Sequence, residues 1–182
     1  MSSYGRILSL ENLVAIRDSL GTVVCTSGGF DPLHPGHATC IVDSKDYGDT
    51  LVVIVNGDEF LSLKKGRPFM DLATRCSIVA CLRGVDYVVP FEAGSDMSVS
   101  DALRVIRPDV FTKGGDRTSP SQILEWDVCR SLGIRVITGV GESKRWSSSW
   151  FLREWGDFWL CHTRASTEAL PRRGRGQTIP RR

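Results

Sequence analysis

Two of the chain's three histidines lie three residues apart in Ser27-Gly28-Gly29-Phe30-Asp31-Pro32-Leu33-His34-Pro35-Gly36-His37. The segment follows a short apolar run, Thr22-Val23-Val24-Cys25, and leads into residues that can be helical. A strand, a glycine turn and polar residues at a helix start together make an anion site. Backbone N–H groups and the positive end of the helix dipole converge there. Two imidazoles added at that spot predict phosphate chemistry as well as phosphate binding. Gly36 lets the backbone turn closely and puts His37 in the first turn of the helix, so that both rings can face one phosphate group. Two histidines in an arbitrary loop would say little. Behind Gly-Gly-Phe-Asp, after a strand and at a helix start, they say a great deal.

The elements that must hold these residues can be read from periodicity. Apolar residues at helical spacing (Leu10, Leu13, Val14, Ile16, Leu20) predict a first helix stopped by Gly21. Strands are predicted at about 22–27, 51–55, 87–90, 109–112 and 134–137, and Leu51-Val52-Val53-Ile54-Val55 is apolar throughout, as in a parallel strand covered on both faces. Helices are predicted over about 36–46, from Asp71 as N-cap to Leu82, from Ser98 or Ser100 to Ile106, over 120–132 up to Gly133, and from near Ser147. Residues 58–70 read as a polar loop with a positive tip, Lys64-Lys65-Gly66-Arg67-Pro68. The alternation predicts an α/β fold, a doubly wound (Rossmann-like) five-stranded parallel sheet with helices on both faces. Ligands of such sheets bind beyond the carboxyl ends of the strands. Three segments fall there: the histidine motif, Asn56-Gly57-Asp58 and Lys113-Gly114-Gly115-Asp116.

Composition bounds the rest. The chain has 182 residues, 41% hydrophobic and 24% charged, which suits one globular domain over 1–160 with an arginine-rich, disordered tail over 161–182. The six cysteines are scattered without a Cys-x-x-Cys pair, so buried free thiols are expected rather than a metal cluster, and no metal-ligating residues are assigned. The first residues lack the apolar core of a signal peptide and no run is long enough to span a bilayer, so a cytoplasmic protein with no membrane partner is expected. The net charge of +2 conceals an asymmetry: residues 162–182 carry six arginines and one acid, leaving residues 1–161 net negative by three. A folded domain that is net acidic argues against a nucleic-acid partner.

The residues from Gly28 to His37 resemble the signature of the nucleotidylyltransferases of the cytidylyltransferase-like superfamily. The likeness continues in Lys45-Asp46-Tyr47-Gly48-Asp49, similar to a Lys-x-x-Gly-Asp pattern, and in Val53-Ile54-Val55-Asn56-Gly57-Asp58. Lys64 to Arg75 is similar to a Lys…Arg-Pro…Arg pattern, and Ser147-Ser148-Ser149 to a Ser/Thr triplet opening the last helix. Phe111-Thr112-Lys113-Gly114-Gly115-Asp116 and the lead-in Leu8-Ser9-Leu10-Glu11 resemble the heptose-phosphate adenylyltransferase branch. The resemblance covers about residues 6–155. There are two departures: Ser27 stands where the family often has Asn, which bears on how the turn is held, and Trp146 and Trp150 flank the serine triplet where many members carry smaller residues, which bears on the packing of the last helix and on the acceptor.

The resemblance implies transfer of a nucleoside monophosphate, AMP from ATP above all, to a phosphorylated acceptor such as heptose 1-phosphate, with Mg2+ arriving on the NTP. His34 and His37 would donate to the triphosphate, and Lys45 would contact the phosphates as a third catalytic residue. Gly28, Gly29, Phe30, Asp31, Gly36, Asn56, Lys64, Arg75, Lys113, Gly114, Gly115, Asp116, Ser147, Ser148 and Ser149 would line the nucleotide. Without the family pattern, Lys45 reads as a solvated helix-end lysine and Arg75 equally well as a surface helix arginine. A cytidylyltransferase acting on a phosphorylated alcohol such as glycerol 3-phosphate, and a silent nucleotide-binding protein, stay open. Pantetheine-phosphate and flavin adenylyltransferases match less well in the middle segments. Relatives often form dimers or rings, so a homo-oligomer is expected. Any sugar kinase is expected on a separate protein, since 182 residues are too few to hold one as well.

Overall fold

The computed structural model describes residues 4–92, 97–115, 117, 119–143 and 145–168, with side chains to 162. The elements run β1 (Arg6–Ile7), α1 (Leu10–Ile16), β2 (Val23–Gly28), α2 (Pro35–Ser44), β3 (Thr50–Asn56), α3 (Asp58–Lys65), α4 (Leu72–Ala80), β4 (Tyr87–Phe91), α5 (Ser100–Ile106), β5 (Val110–Gly114), α6 (Trp126–Leu132), β6 (Arg135–Val140) and α7 (Ser148–Glu168). The six strands lie in the order β1-β4-β3-β2-β5-β6, and every neighbouring pair is parallel. Chain order reverses between β2 and β5. Their carboxyl ends, Gly28 and Gly114, therefore flank the crevice where a doubly wound sheet binds its ligand.

Side chains alternate across the sheet as the apolar runs require. Val23 and Cys25 of β2, Val52 and Ile54 of β3, Val89 and Phe111 pack under α1, α5 and α6 through Leu13, Leu103, Ile106 and Cys129. On the opposite face Val24, Leu51, Val53, Val55, Val88 and Val110 meet Ile41 of α2 and Cys76 and Val79 of α4. All seven residues of β3 are buried, which accounts for its unbroken apolar sequence.

Four expectations change. The sheet has six strands rather than five, because the two-residue edge strand β1 is exposed and too short to show a period. Residues 58–65 form helix α3, not a loop. Only Leu61 of its eight residues is buried, so no apolar stripe marks it, although Asp58 and Glu59 in its first turn and Lys64 and Lys65 in its last suit the helix dipole. The helix expected over 120–132 is a single turn at Pro120–Gln122 followed by α6. Backbone contacts divide the chain at Ser148/Ser149, and α7 carries a helical backbone to Glu168, into the segment expected to be tail. Among the described residues no helix is long and apolar enough to cross a membrane.

Candidate active site

The N-terminus of α2 is built around the two histidines. His34 is its N-cap, in extended conformation, and its Nδ1 accepts the backbone N–H of His37 at 3.3 Å. That bond fixes the tautomer: with Nδ1 accepting, the neutral ring carries its proton on Nε2. Pro35 at the first helical position has no N–H to satisfy. The two imidazoles stack at 3.6 Å between centroids and 15° between planes, and Phe30 meets His37 edge-on at 5.2 Å. Burial, then His34, Lys65 and Lys64, push the His37 pKa down to about 3. Burial also lowers that of His34. Both rings are therefore neutral at pH 7. The Nδ1 of His37 is buried without a hydrogen-bond partner, as is Oδ1 of Asn56 at the end of β3.

The turn before the helix is held from beneath. A Cβ on Gly28 would come within 3.0 Å of the Phe30 ring, so the glycine lets that ring fold back over β2. Phe30 itself has φ +51. Asp31 is fully buried, and its carboxylate accepts the N–H groups of Phe69 and Met70, each at 2.8 Å. The Asp31 carbonyl accepts from Lys65 Nζ. Gly36 differs from Gly28. Among the described residues a Cβ there would meet His34 at 3.5 Å and Trp146 at 3.8 Å, both ordinary contacts, so none of them demands the glycine. The space it leaves lies beside the His34 ring.

Arg75 is not presented to a nucleotide. Its side chain is wholly buried and donates to the carbonyls of Met70 (3.1 Å), Gly29 (2.7 Å) and Asn56 (2.6 Å) and to Asp58 Oδ1 (2.7 Å). One guanidinium thus ties together the turn after β2, the end of β3, the start of α3 and the loop before α4. Lys113 is likewise turned inward. It is 5% exposed, bonded to Ser27 Oγ at 3.0 Å, paired with Glu125 at 3.2 Å and seated 4.6 Å over the Phe111 ring. Burial lowers its pKa, and Glu125 opposes the shift. Gly114 is required by packing, since a Cβ would lie 2.7 Å from Cys40 Sγ. Gly115 has φ +74, and no described residue would come within 4 Å of a Cβ there. Asp116 lies outside the described residues.

Lys45 is on the wrong side of the sheet. It follows α2, pairs with Asp86 at 2.6 Å and donates to the Asp49 carbonyl, all at the end where β3 and β4 begin. Helix α2, about 15 Å long, separates it from His34. The expectation that it contacts phosphates is therefore withdrawn. Ser148 is buried and donates to the Pro32 carbonyl at 2.9 Å, tying the start of α7 to the histidine turn. Ser147 precedes it, part-buried, and Ser149 opens the second backbone unit. Lys64 is exposed, 5.5 Å over the Phe60 ring.

A paired-histidine helix start at the switch point of a parallel sheet has a counterpart among known families. The sequence model described as cytidylyltransferase-like matches residues 25–148. The chain belongs to the cytidylyltransferase-like family. Within it, the chain is similar to the bifunctional protein HldE of Geobacter metallireducens, 40% identical over 140 residues, 74% of this chain and 28% of that protein. The HldE of Desulfatibacillum aliphaticivorans is 36% identical over 131 residues, 71% of this chain and 25% of the relative. The chain thus spans roughly a quarter of the length of these curated relatives. Among solved structures, the lipopolysaccharide core biosynthesis protein of Thermoplasma volcanium GSS1 superposes with a TM-score of 0.56 at 27% identity, over 67% of this chain and 98% of that one. A pantoate–β-alanine ligase of Francisella tularensis, solved with β-γ ATP and β-alanine, shares the fold at a TM-score of 0.58, with 17% identity.

For a cytidylyltransferase-like domain the chemistry available at this crevice is charge stabilisation. It offers neutral imidazoles, the positive end of the α2 dipole and the cations of α3. Lys65 was not singled out from sequence, yet it is the α3 lysine bonded to the turn, half-buried, and its charge is felt at His37. Glu125, the partner of Lys113, was also missed. The strand period could have found that pair, because Lys113 falls two residues after Phe111 on the same buried face.

Proposed function

We propose that the chain transfers AMP from ATP to a sugar phosphate such as heptose 1-phosphate and releases pyrophosphate. An oxygen of the acceptor phosphate attacks the α-phosphorus in line. The new P–O bond forms as the bond to the bridging oxygen of the β-phosphate breaks, and pyrophosphate departs with that electron pair. The acceptor phosphate is already ionised at neutral pH, so no strong base is needed. The protein has instead to hold two anions together and stabilise charge on the α-phosphate and the leaving group.

The observation that carries this reading is the neutral, stacked pair of His34 and His37 at the start of α2. The Nδ1 of His34 accepts from the backbone, which puts its proton on Nε2. Lys65 supplies positive charge beside the turn, while Asp31 and Arg75 hold the turn and α3 in register. The groups at the crevice are hydrogen-bond donors rather than cation ligands. Among the described residues no cluster of His, Cys, Asp and Glu could hold a metal ion. We assign the Mg2+ of this reaction to the oxygens of the triphosphate, whose charge it offsets.

The likeness to HldE and to a lipopolysaccharide core biosynthesis protein supports a sugar phosphate as acceptor. One observation favours keeping CTP with glycerol 3-phosphate as the second reading. Lys113, the residue that pointed to adenylyl transfer, is occupied by Glu125 and Ser27, which leaves choice of base to main-chain groups near Gly114 and Gly115. Pyrophosphate release should be measured for all four NTPs against phosphorylated sugars and alcohols. ATP with a sugar 1-phosphate is expected to be fastest. CTP with glycerol 3-phosphate as the fastest pair would establish the second reading, and nucleotide binding without turnover for every pair would refute both.

A further inference from the structure

The crevice opens at a defined point in the sheet. The β2–β5 ladder ends at Thr26 and Thr112, although β2 stays paired with β3 to Gly28 and β5 with β6 to Gly114. Ser27 and Lys113 are the next residues on the two parting strands, and Lys113 Nζ donates to Ser27 Oγ at 3.0 Å across the gap. The β5–β6 register shifts between Lys113 and Gly114, directly before the crevice wall, as bulges beside ligand sites do. Glu125 fixes where the ammonium sits: each of its carboxylate oxygens lies 3.2 Å from Nζ. The same carboxylate accepts the N–H of Val99, the residue before α5, at 3.5 Å. Glu125 itself precedes α6 and is buried. One buried cluster therefore joins the ends of β2 and β5 to the starts of α5 and α6.

We propose that Glu125 is a positioning residue for nucleotide binding: through Lys113 it holds the Ser27 end of β2 against β5 and so sets the crevice in which the nucleotide sits. The inference rests on the nucleotidyl-transfer reading above and adds to it the residues that shape the nucleotide wall. A buried ion pair is a poor source of stability, since apolar residues of similar volume often serve as well or better. What this pair supplies is geometry. Lysine has a long, flexible stem, and Glu125, Ser27 and the Phe111 ring leave its ammonium one place. The histidine turn is held separately, from the opposite face of the sheet, where Arg75 donates to the Gly29 carbonyl and Asp31 accepts from Phe69 and Met70. The two buried cations thus divide the work. Arg75 keeps His34 and His37 in register, and Lys113 keeps β5 in register with β2. Loosening the second should weaken the hold on the nucleotide and leave the histidines armed, so that KM rises while kcat persists.

The test uses the full chain and two variants. Lys113→Met/Glu125→Leu removes both buried charges together, so neither is stranded, and should melt at or near the wild-type temperature. Ser27→Ala removes only the link to β2. Thermal melting, equilibrium binding of ATP and of CTP, and kcat and KM for pyrophosphate release are the readouts. Each variant should bind the nucleotide that the wild type prefers about tenfold more weakly, the worth of one hydrogen bond to a charged group, with kcat within about threefold. Combining all three substitutions should weaken binding no further than the double variant does, because the changes break one linkage. Folded variants that bind the nucleotide as wild type does would overturn the inference, and so would a loss confined to kcat or effects that simply add. Should the double variant not fold, Ser27→Ala decides on its own. A wild type that binds neither nucleotide would refute the nucleotidyl-transfer reading together with the inference, whereas a wild type that binds and turns over beside unaffected variants would refute the inference alone.

Discussion

His37 illustrates how one side chain's surroundings set its chemistry. Stacked on His34, edged by Phe30 and close to two lysines, its ring titrates at about 3 instead of 6.5. A folded-state value below the unfolded one favours the unfolded chain wherever that chain alone takes up the proton. Stability is thus full above pH 6.5 and is lost as pH falls from 6.5 toward 3. Thermal melts across that range should show the loss, and His37→Asn should flatten it. Lys45 makes the complementary point. Its ion pair with Asp86 is partly exposed and sits at the far edge of the sheet, so Lys45→Ala should leave kcat/KM within about threefold of wild type and lower stability by about 1 kcal/mol or less. The histidine pair was legible in sequence because a strand, a glycine turn and a helix start fix where such residues point. Lys45 was misplaced because a pattern match carries no sense of direction along α2.

At the scale of elements, the site depends on a buried bracket. Asp31 receives the N–H groups ahead of α4, and Arg75 on α4 returns bonds to the turn after β2, to β3 and to α3. Replacing Arg75 by Met leaves three carbonyls without their donor and should cost about 3 kcal/mol in urea unfolding, well beyond what loss of a surface arginine costs. A melt unchanged by Arg75→Met would contradict the bracket. The burial of Arg75 was readable in principle, since Leu72, Arg75, Cys76 and Val79 share one helical face. Helix α3 was harder to see: one buried leucine in eight residues gives no stripe, and it is held by its charged ends and by Lys65 at the Asp31 carbonyl. Lys113 reads as a ligand in isolation and as a buried cation once Glu125 of the neighbouring loop is beside it. Pairings between segments 12 residues apart in sequence are what a linear reading misses.

For the molecule as a whole, six parallel strands with the reversal between β2 and β5 concentrate the candidate groups at one edge of the sheet. The alternation of apolar runs announced that architecture, because strands covered on both faces and helices with one buried face leave distinct periods. The edge strand β1 and the reach of α7 to Glu168 did not show, as neither depends on a regular apolar pattern. This arrangement gives His34 and His37 work only if the reaction is carried by donors aimed at phosphate. The most direct measurement is pyrophosphate release by wild type and His37→Ala with the NTP and acceptor that the wild type uses best, at saturating concentrations of both. The variant should retain its fold by thermal melting and lose a factor of about 10²–10³ in kcat. A folded His37→Ala variant that turns over at the wild-type rate would contradict the account.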